Sequence, residues 1–162
     1  MKKSKYIGPR MHFPHKLYIL MRNDIVSMNP GKAMAQAAHA ANVFVKKHCD
    51  LITVQEDWMA KGRPFGTTIV LAVDAQQLQF AIDKAEREKV PCGLVCDDTY
   101  PFVTNKEIAS LIPCDKQSAA PIYKEDGHVV MFRKEITCGY LFVVDGSSSD
   151  LMTYVGELPL YP

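Results

Sequence analysis

"KLYILMRNDIVSMNPGKAMAQAAHAANVF", residues 16–44, decides how the chain is read. Its first seven residues are a short, almost wholly apolar run after Pro14. A run of that length without polar alternation predicts a strand buried on both faces. Asn29, Pro30 and Gly31 then open a helix. Asn29 can accept the N-cap bond, and Pro30 suits the first helical position, where its missing N–H is not needed. The helix is expected to run to about Lys47. At 100° per residue, Ala33, Ala37, Ala40 and Phe44 make a face small enough to lie close on a sheet. Lys32, Gln36 and His39 fall together within an arc of about 60°. A strand feeding such a two-faced helix predicts an α/β domain with the polar stripe bordering a cleft.

The rest of the chain repeats the alternation. "LITVQEDWMAK" (51–61) predicts a second, shorter helix stopping at Gly62, and "TTIVLAV" (67–73) a second strand. "AQQLQFAIDKAEREK" (75–89) carries Leu78, Ala81, Ile82 and Ala85 at helical spacing. "CGLVCD" (92–97) predicts a third strand. Thr104 and Glu107 have capping-box spacing, so a short helix is expected from Thr104. "HVVMFR" (128–133) and "YLFVVD" (140–145) predict two more strands, antiparallel across a turn or small loop near Glu135–Gly139. The connections through 23–66 and 74–91 are long enough for crossovers, so the central pairs read as parallel and the last hairpin makes the sheet mixed. Residues 1–15 read as a basic N-terminal extension and 16–162 as one α/β domain, long enough to bury about 70% of its unfolded surface.

Composition narrows the class. The 162 residues are 48% hydrophobic and 23% charged, as in a globular domain, and nowhere is there the run of about 20 apolar residues that a membrane span needs. The N-terminus "MKKSKYIGPRMHFPHK" lacks the apolar core of a signal peptide, so a cytoplasmic protein is expected. The net charge of +1 hides an asymmetry: residues 1–50 hold nine Lys or Arg against Asp24 and Asp50. A basic front half suits an anionic partner such as RNA, and equally a solvated tail with ordinary surface lysines. Cys92 and Cys96, four apart on a strand, would share one face. Without paired spacing they read as reduced buried thiols rather than metal ligands, and no metal is expected.

Two polar groupings carry possible chemistry. Lys32 sits in the first helical turn, where the helix dipole disfavours a cation. With the free N–H groups there it would make an anion site for phosphate or an oxyanion; alternatively it is a solvated lysine. His39 reads as a hydrogen-bonded, half-buried side chain or as a catalytic one. At the end of the third strand, "VCDDTYP" offers Asp97 to the crevice where α/β sheets place their ligands, or to a turn before Pro101. The helix stripe and Asp97 are expected to share one cleft.

Arg22, Asp24, Ile25, Met28, Gly31, Lys32, Ala35, Gln36, His39, Ala40 and Ala41, following a strand and opening a helix, resemble the signature of the second, archaeal and eukaryotic, type of peptidyl-tRNA hydrolase. Trp58 and the later strand–helix–"GLVCD" order fit the same family over roughly residues 16–100. The resemblance implies a mixed sheet of about four strands flanked by helices, often in a homodimer. It implies hydrolysis of the ester between a peptidyl group and tRNA, without metal or organic cofactor. Lys32, His39 and Asp97 occupy its active-site positions, and Gly31, Gln36, Arg22 and Thr99 fall among expected substrate-binding positions. Where the family usually continues as Asp-Ala-Gly-x-Thr, this chain has Asp97, Asp98, Thr99, Tyr100 and Pro101. Its threonine position is a proline, for which Thr99 or Thr104 could substitute. The segment from Thr104 to Glu135 is also longer than the family's connection. The departures keep two alternatives in play: a module that binds tRNA or a protein without turnover, and a hydrolase of another small acyl ester or amide.

Overall fold

The computed structural model describes residues 15–61, 66–144 and 149–162. Strand β1 (His15–Arg22) leads through helix α1 (Pro30–Lys47) and helix α2 (Ile52–Lys61) to β2 (Thr68–Val73). Helix α3 (Ala75–Arg87) follows, then β3 (Cys92–Asn105), α4 (Lys106–Leu111), β4 (Ala119–Tyr123), β5 (His128–Val144) and α5 (Asp150–Glu157). The basic extension and Gly62 lie outside the described residues, except that His15 already belongs to β1.

The helix starts follow the local chemistry. Asn29 Oδ1 accepts from the Lys32 N–H at 3.0 Å, with Pro30 just inside α1. Asp74 and Gln77 form a reciprocal capping box on α3. Helix α4 is capped by Asn105, not Thr104: its side chain accepts from the Ile108 N–H at 2.8 Å. An amide oxygen caps as well as a hydroxyl, so the two neighbours could not be separated by spacing.

The sheet is mixed, in the order β2-β1-β5-β3, and β4 pairs with β5 off that path. Among the described residues it has five strands, in keeping with the expected mixed sheet of about four flanked by helices. Only β1 and β2 run parallel among the described residues; every pairing of β5 is antiparallel. The expected hairpin near Glu135–Gly139 is absent, because 128–144 is one continuous strand. Its halves are satisfied by different partners: β1 takes 138–144 and β4 takes 129–132, while β3 runs along the opposite edge from 128 to 141. Strand β3 likewise continues beyond Asp97 to Asn105, through Pro101 opposite Phe132.

Two helical layers enclose the central sheet. Leu17, Ile19, Met21, Tyr140 and Phe142 face Ala33, Ala40 and Phe44 of α1 and Trp58 of α2. Tyr18, Leu20, Leu141 and Val143 face α3 and α5 through Leu78, Ile82, Leu151 and Val155. The period-2 alternation of β1 thus feeds both cores, as a strand buried on both faces must. Beyond this body, distal β3 and β5 join β4 in a three-stranded arm. Its small core is Ala109, Val129 and Met131 with Phe102 and Ile112 against it.

Pairing between β3 and β5 is irregular at two places, between Val95 and Cys96 and between Asp97 and Tyr100. Val95 lies opposite Cys138 but Cys96 opposite Ile136, so Thr137 is the extra residue of a bulge. Of the two cysteines expected to share a face, Cys92 is buried in the α3-side core and Cys96 is exposed.

Candidate active site

The bulge determines where the polar groups meet. Alternation alone would send Thr137 and Cys138 to opposite faces, yet both reach α1. The Thr137 hydroxyl donates to Gln36 Oε1 at 2.7 Å, and Cys138 Sγ contacts the Gln36 carbonyl at 3.5 Å. Gln36 is only 4% exposed, so its amide is a buried connector rather than part of a solvent-facing stripe. Its Nε2 donates to Asp97 Oδ2 at 2.7 Å. The other carboxylate oxygen, Oδ1, accepts from the Thr99 N–H at 2.9 Å, with the Thr99 hydroxyl at 3.5 Å. The relay Thr137–Gln36–Asp97 therefore fixes the orientation of a half-exposed carboxylate. Thr137 escaped the sequence reading because a bulge is not visible in residue alternation.

Asp97, Thr99, Gln36 and His39 border a cleft of ≈ 410 Å³ together with Cys96 and Asn42. His39 is exposed on its rim. Lys32, expected to share that cleft, lines an adjoining one. Its ammonium donates to the Pro101 carbonyl at 2.8 Å and lies 4.7 Å from the centre of the Tyr100 ring. Tyr100 is fully buried, with its hydroxyl 3.3 Å from Ser27 Oγ. The second β3 irregularity brings Tyr100 and Pro101 beside Lys32, and this divides the region in two. The halves remain electrostatically connected: burial lowers the Lys32 pKa below the usual lysine range, and the Asp97 charge opposes that shift.

The Lys32 cleft measures ≈ 710 Å³. One wall is Arg22, Asp24, Ser27 and Asn29; the other comes from the arm, through Phe102, Val103 and Arg133. Arg22 is committed to structure. Its Nε and Nη2 hold both oxygens of Asp24 at 2.9 Å, and Nη1 donates to Glu135 at 2.8 Å and to the Ile136 carbonyl at 2.9 Å. The hydrogen bonds to Asp24, strengthened by the charges of Asp24 and Glu135, raise the Arg22 pKa further. Gly31 sits in the first turn of α1, exposed, where a Cβ would approach Asn29 Oδ1 to 3.4 Å.

A family model described as Peptidyl-tRNA hydrolase PTH2 matches residues 15–125. The chain belongs to the PTH2 family. The match takes in β1 through β4, and so includes α1, Asp97 and most of the arm, but stops short of β5 and Thr137. No curated protein matches the chain. Among the described residues no group of three or more His, Cys, Asp or Glu could hold a metal ion, and no helix is long and apolar enough to cross a membrane.

Proposed function

We propose that this PTH2-family chain hydrolyses the ester bond of peptidyl-tRNA or N-blocked aminoacyl-tRNA without a cofactor. The observation that carries this reading is the relay from Thr137 through Gln36 to Asp97, which holds a carboxylate in one orientation at a cleft. Oδ2 of this carboxylate accepts one protein hydrogen bond, from Gln36, and so keeps a lone pair for a water molecule. Asp97 takes a proton from that water as its oxygen attacks the ester carbonyl. As the tetrahedral intermediate collapses, the bond to the ribose oxygen breaks and the proton passes from Asp97 to that oxygen. His39, at the rim, orients the substrate by hydrogen bonding. Lys32 binds a phosphate of the tRNA. An ammonium has three N–H donors, and Lys32 directs one to Pro101, leaving others for phosphate oxygens.

A second reading, RNA binding without turnover, is favoured by the Lys32–Pro101 contact, formed where the family usually places its threonine. Release of an N-acetylated aminoacyl group from tRNA, measured beside tRNA binding, separates the two. The hydrolase reading expects release by wild type, and for Lys32→Ala weaker binding with a shallower salt dependence, by about one unit of slope. Binding without release would leave the second reading. Neither binding nor release would remove both.

A further inference from the structure

The arm does more than lengthen the sheet: it supplies one wall of the Lys32 cleft. Of the charged residues lining that cleft, Asp24 is held on both oxygens by Arg22, while Lys32 from α1 and Arg133 from the arm are two further cations bordering it. Among the described residues no carboxylate forms an ion pair with the Lys32 ammonium, whose hydrogen bond is to a neutral carbonyl, although the Asp97 charge acts on it. The Arg133 guanidinium lies 5.2 Å from the centre of the Phe102 ring and is anchored by Nη2 on Glu135 at 2.7 Å. Glu135 in turn is held by Arg22, so the guanidinium is fixed from the body of the domain. Phe102 packs on the arm core behind it. The Arg133 side chain is 47% exposed. Near it lie Val26 and Val103, both strongly exposed apolar side chains on opposite walls.

A planar cation backed by an aromatic ring, an apolar wall and an ammonium bordering the same cleft match one ligand chemistry: a nucleobase that stacks and a phosphate that pairs. The ≈ 710 Å³ volume lies in the range of roughly 300–1,000 Å³ typical of small-ligand sites. A single-stranded nucleotide fits these demands, whereas a duplex offers no unstacked base. We infer that Arg133, laid on Phe102, is a base-stacking subsite for the unpaired 3′ end of an RNA, with Lys32 on the same cleft taking a phosphate of the same strand. The inference rests on the proposed RNA substrate, and it assigns binding to the arm that the catalytic relay does not use.

The test measures binding of an RNA stem-loop with a four-nucleotide 3′ overhang, and of the same stem-loop made blunt, by fluorescence anisotropy. Arg133→Ala is expected to weaken binding of the overhang RNA about tenfold and to leave the blunt RNA unaffected. Arg133→Lys, which keeps the charge and loses the plane, should lose nearly as much. Abasic nucleotides in the overhang should reproduce the loss with wild type and add little to Arg133→Ala. Equal loss on blunt and overhang RNA would reduce Arg133 to a general electrostatic contact and overturn the proposal. So would no loss at all, or a wild-type chain that binds neither RNA. The RNA carries no ester, so the hydrolase reading can fail on absent turnover while these outcomes stand. Conversely, turnover of peptidyl-tRNA with KM unchanged in Arg133→Ala would keep the hydrolase and remove the subsite.

Discussion

The two halves of β5 belong to different kinds of structure. Residues 138–143 lie between β1 and β3 with helices over both faces, and all of them are buried. Residues 128–135 lie between β3 and β4 with α4 on one side, and only Val129 and Met131 are buried. The first half is held by two apolar cores, the second mainly by strand pairing and a small cluster. Asp97 and Thr137 sit at the junction, where two pairing irregularities change the phase of the side chains. The rigid body supplies α1 and Gln36; the irregular junction aims Thr137 and Asp97 at it. The proposed site thus lies at the boundary between a packed region and a loosely packed one, a common position for bulges beside active sites.

The largest contrast should appear in the cores themselves. Phe44 is fully buried against Trp58, Tyr140 and Phe142, with its ring centroid 4.5 Å from that of Phe142. Phe44→Ala is expected to cost about 3–5 kcal/mol of unfolding free energy in urea titrations. Val129→Ala in the arm should cost about 1–2 kcal/mol, because less surrounds it and the site can collapse. Hydrogen exchange is expected to show arm amides opening below the global free energy while those of β1 and proximal β5 exchange only by global unfolding. A single cooperative unit including the arm would break the comparison.

The junction comes next. Thr137→Val removes the donor to Gln36 Oε1 and leaves a buried acceptor unpaired, for a loss of about 1–3 kcal/mol. Thr137→Ser should recover most of it, since the hydroxyl is what matters. Equal stability of the valine and serine variants would show that the relay is packing rather than hydrogen bonding. The smallest effect is expected on the uncovered side of the arm. Ile122, opposite Val130, is 55% exposed, so Ile122→Thr should change the unfolding free energy by no more than about 0.5 kcal/mol.

Much of the body was legible because its signals are local and periodic. The alanine face of α1, the cap at Asn29 and Pro30, and the buried stripe Leu78, Ala81, Ile82 and Ala85 all follow from spacing. The arm was not, for a physical reason. "RKEITCG" between the apolar ends of β5 has the polarity of a turn, yet it stays extended because β3 pairs along it. Long-range pairing leaves no local trace, and neither does a bulge. For the candidate site, Lys32, Gln36, His39 and Asp97 could all be named from the sequence. That Gln36 and His39 border a cleft with Asp97 was legible too; that Gln36 is buried and bonded to Asp97, and that Lys32 turns to Tyr100 and Pro101, was not. Thr137 and Arg133, which come from the far end of the chain, had no motif to announce them.

The central claim is that the oriented Asp97 carboxylate removes the proton from the attacking water. Asp97→Asn tests it most directly, because it preserves shape and removes basicity. Release of N-acetylated aminoacyl groups should be followed under single turnover with all tRNA bound, for wild type and variant side by side. The account predicts steady release by wild type, a fall of about 100-fold or more in Asp97→Asn, and unchanged tRNA affinity. An Asp97→Asn chain that releases the aminoacyl group at the wild-type rate would contradict it.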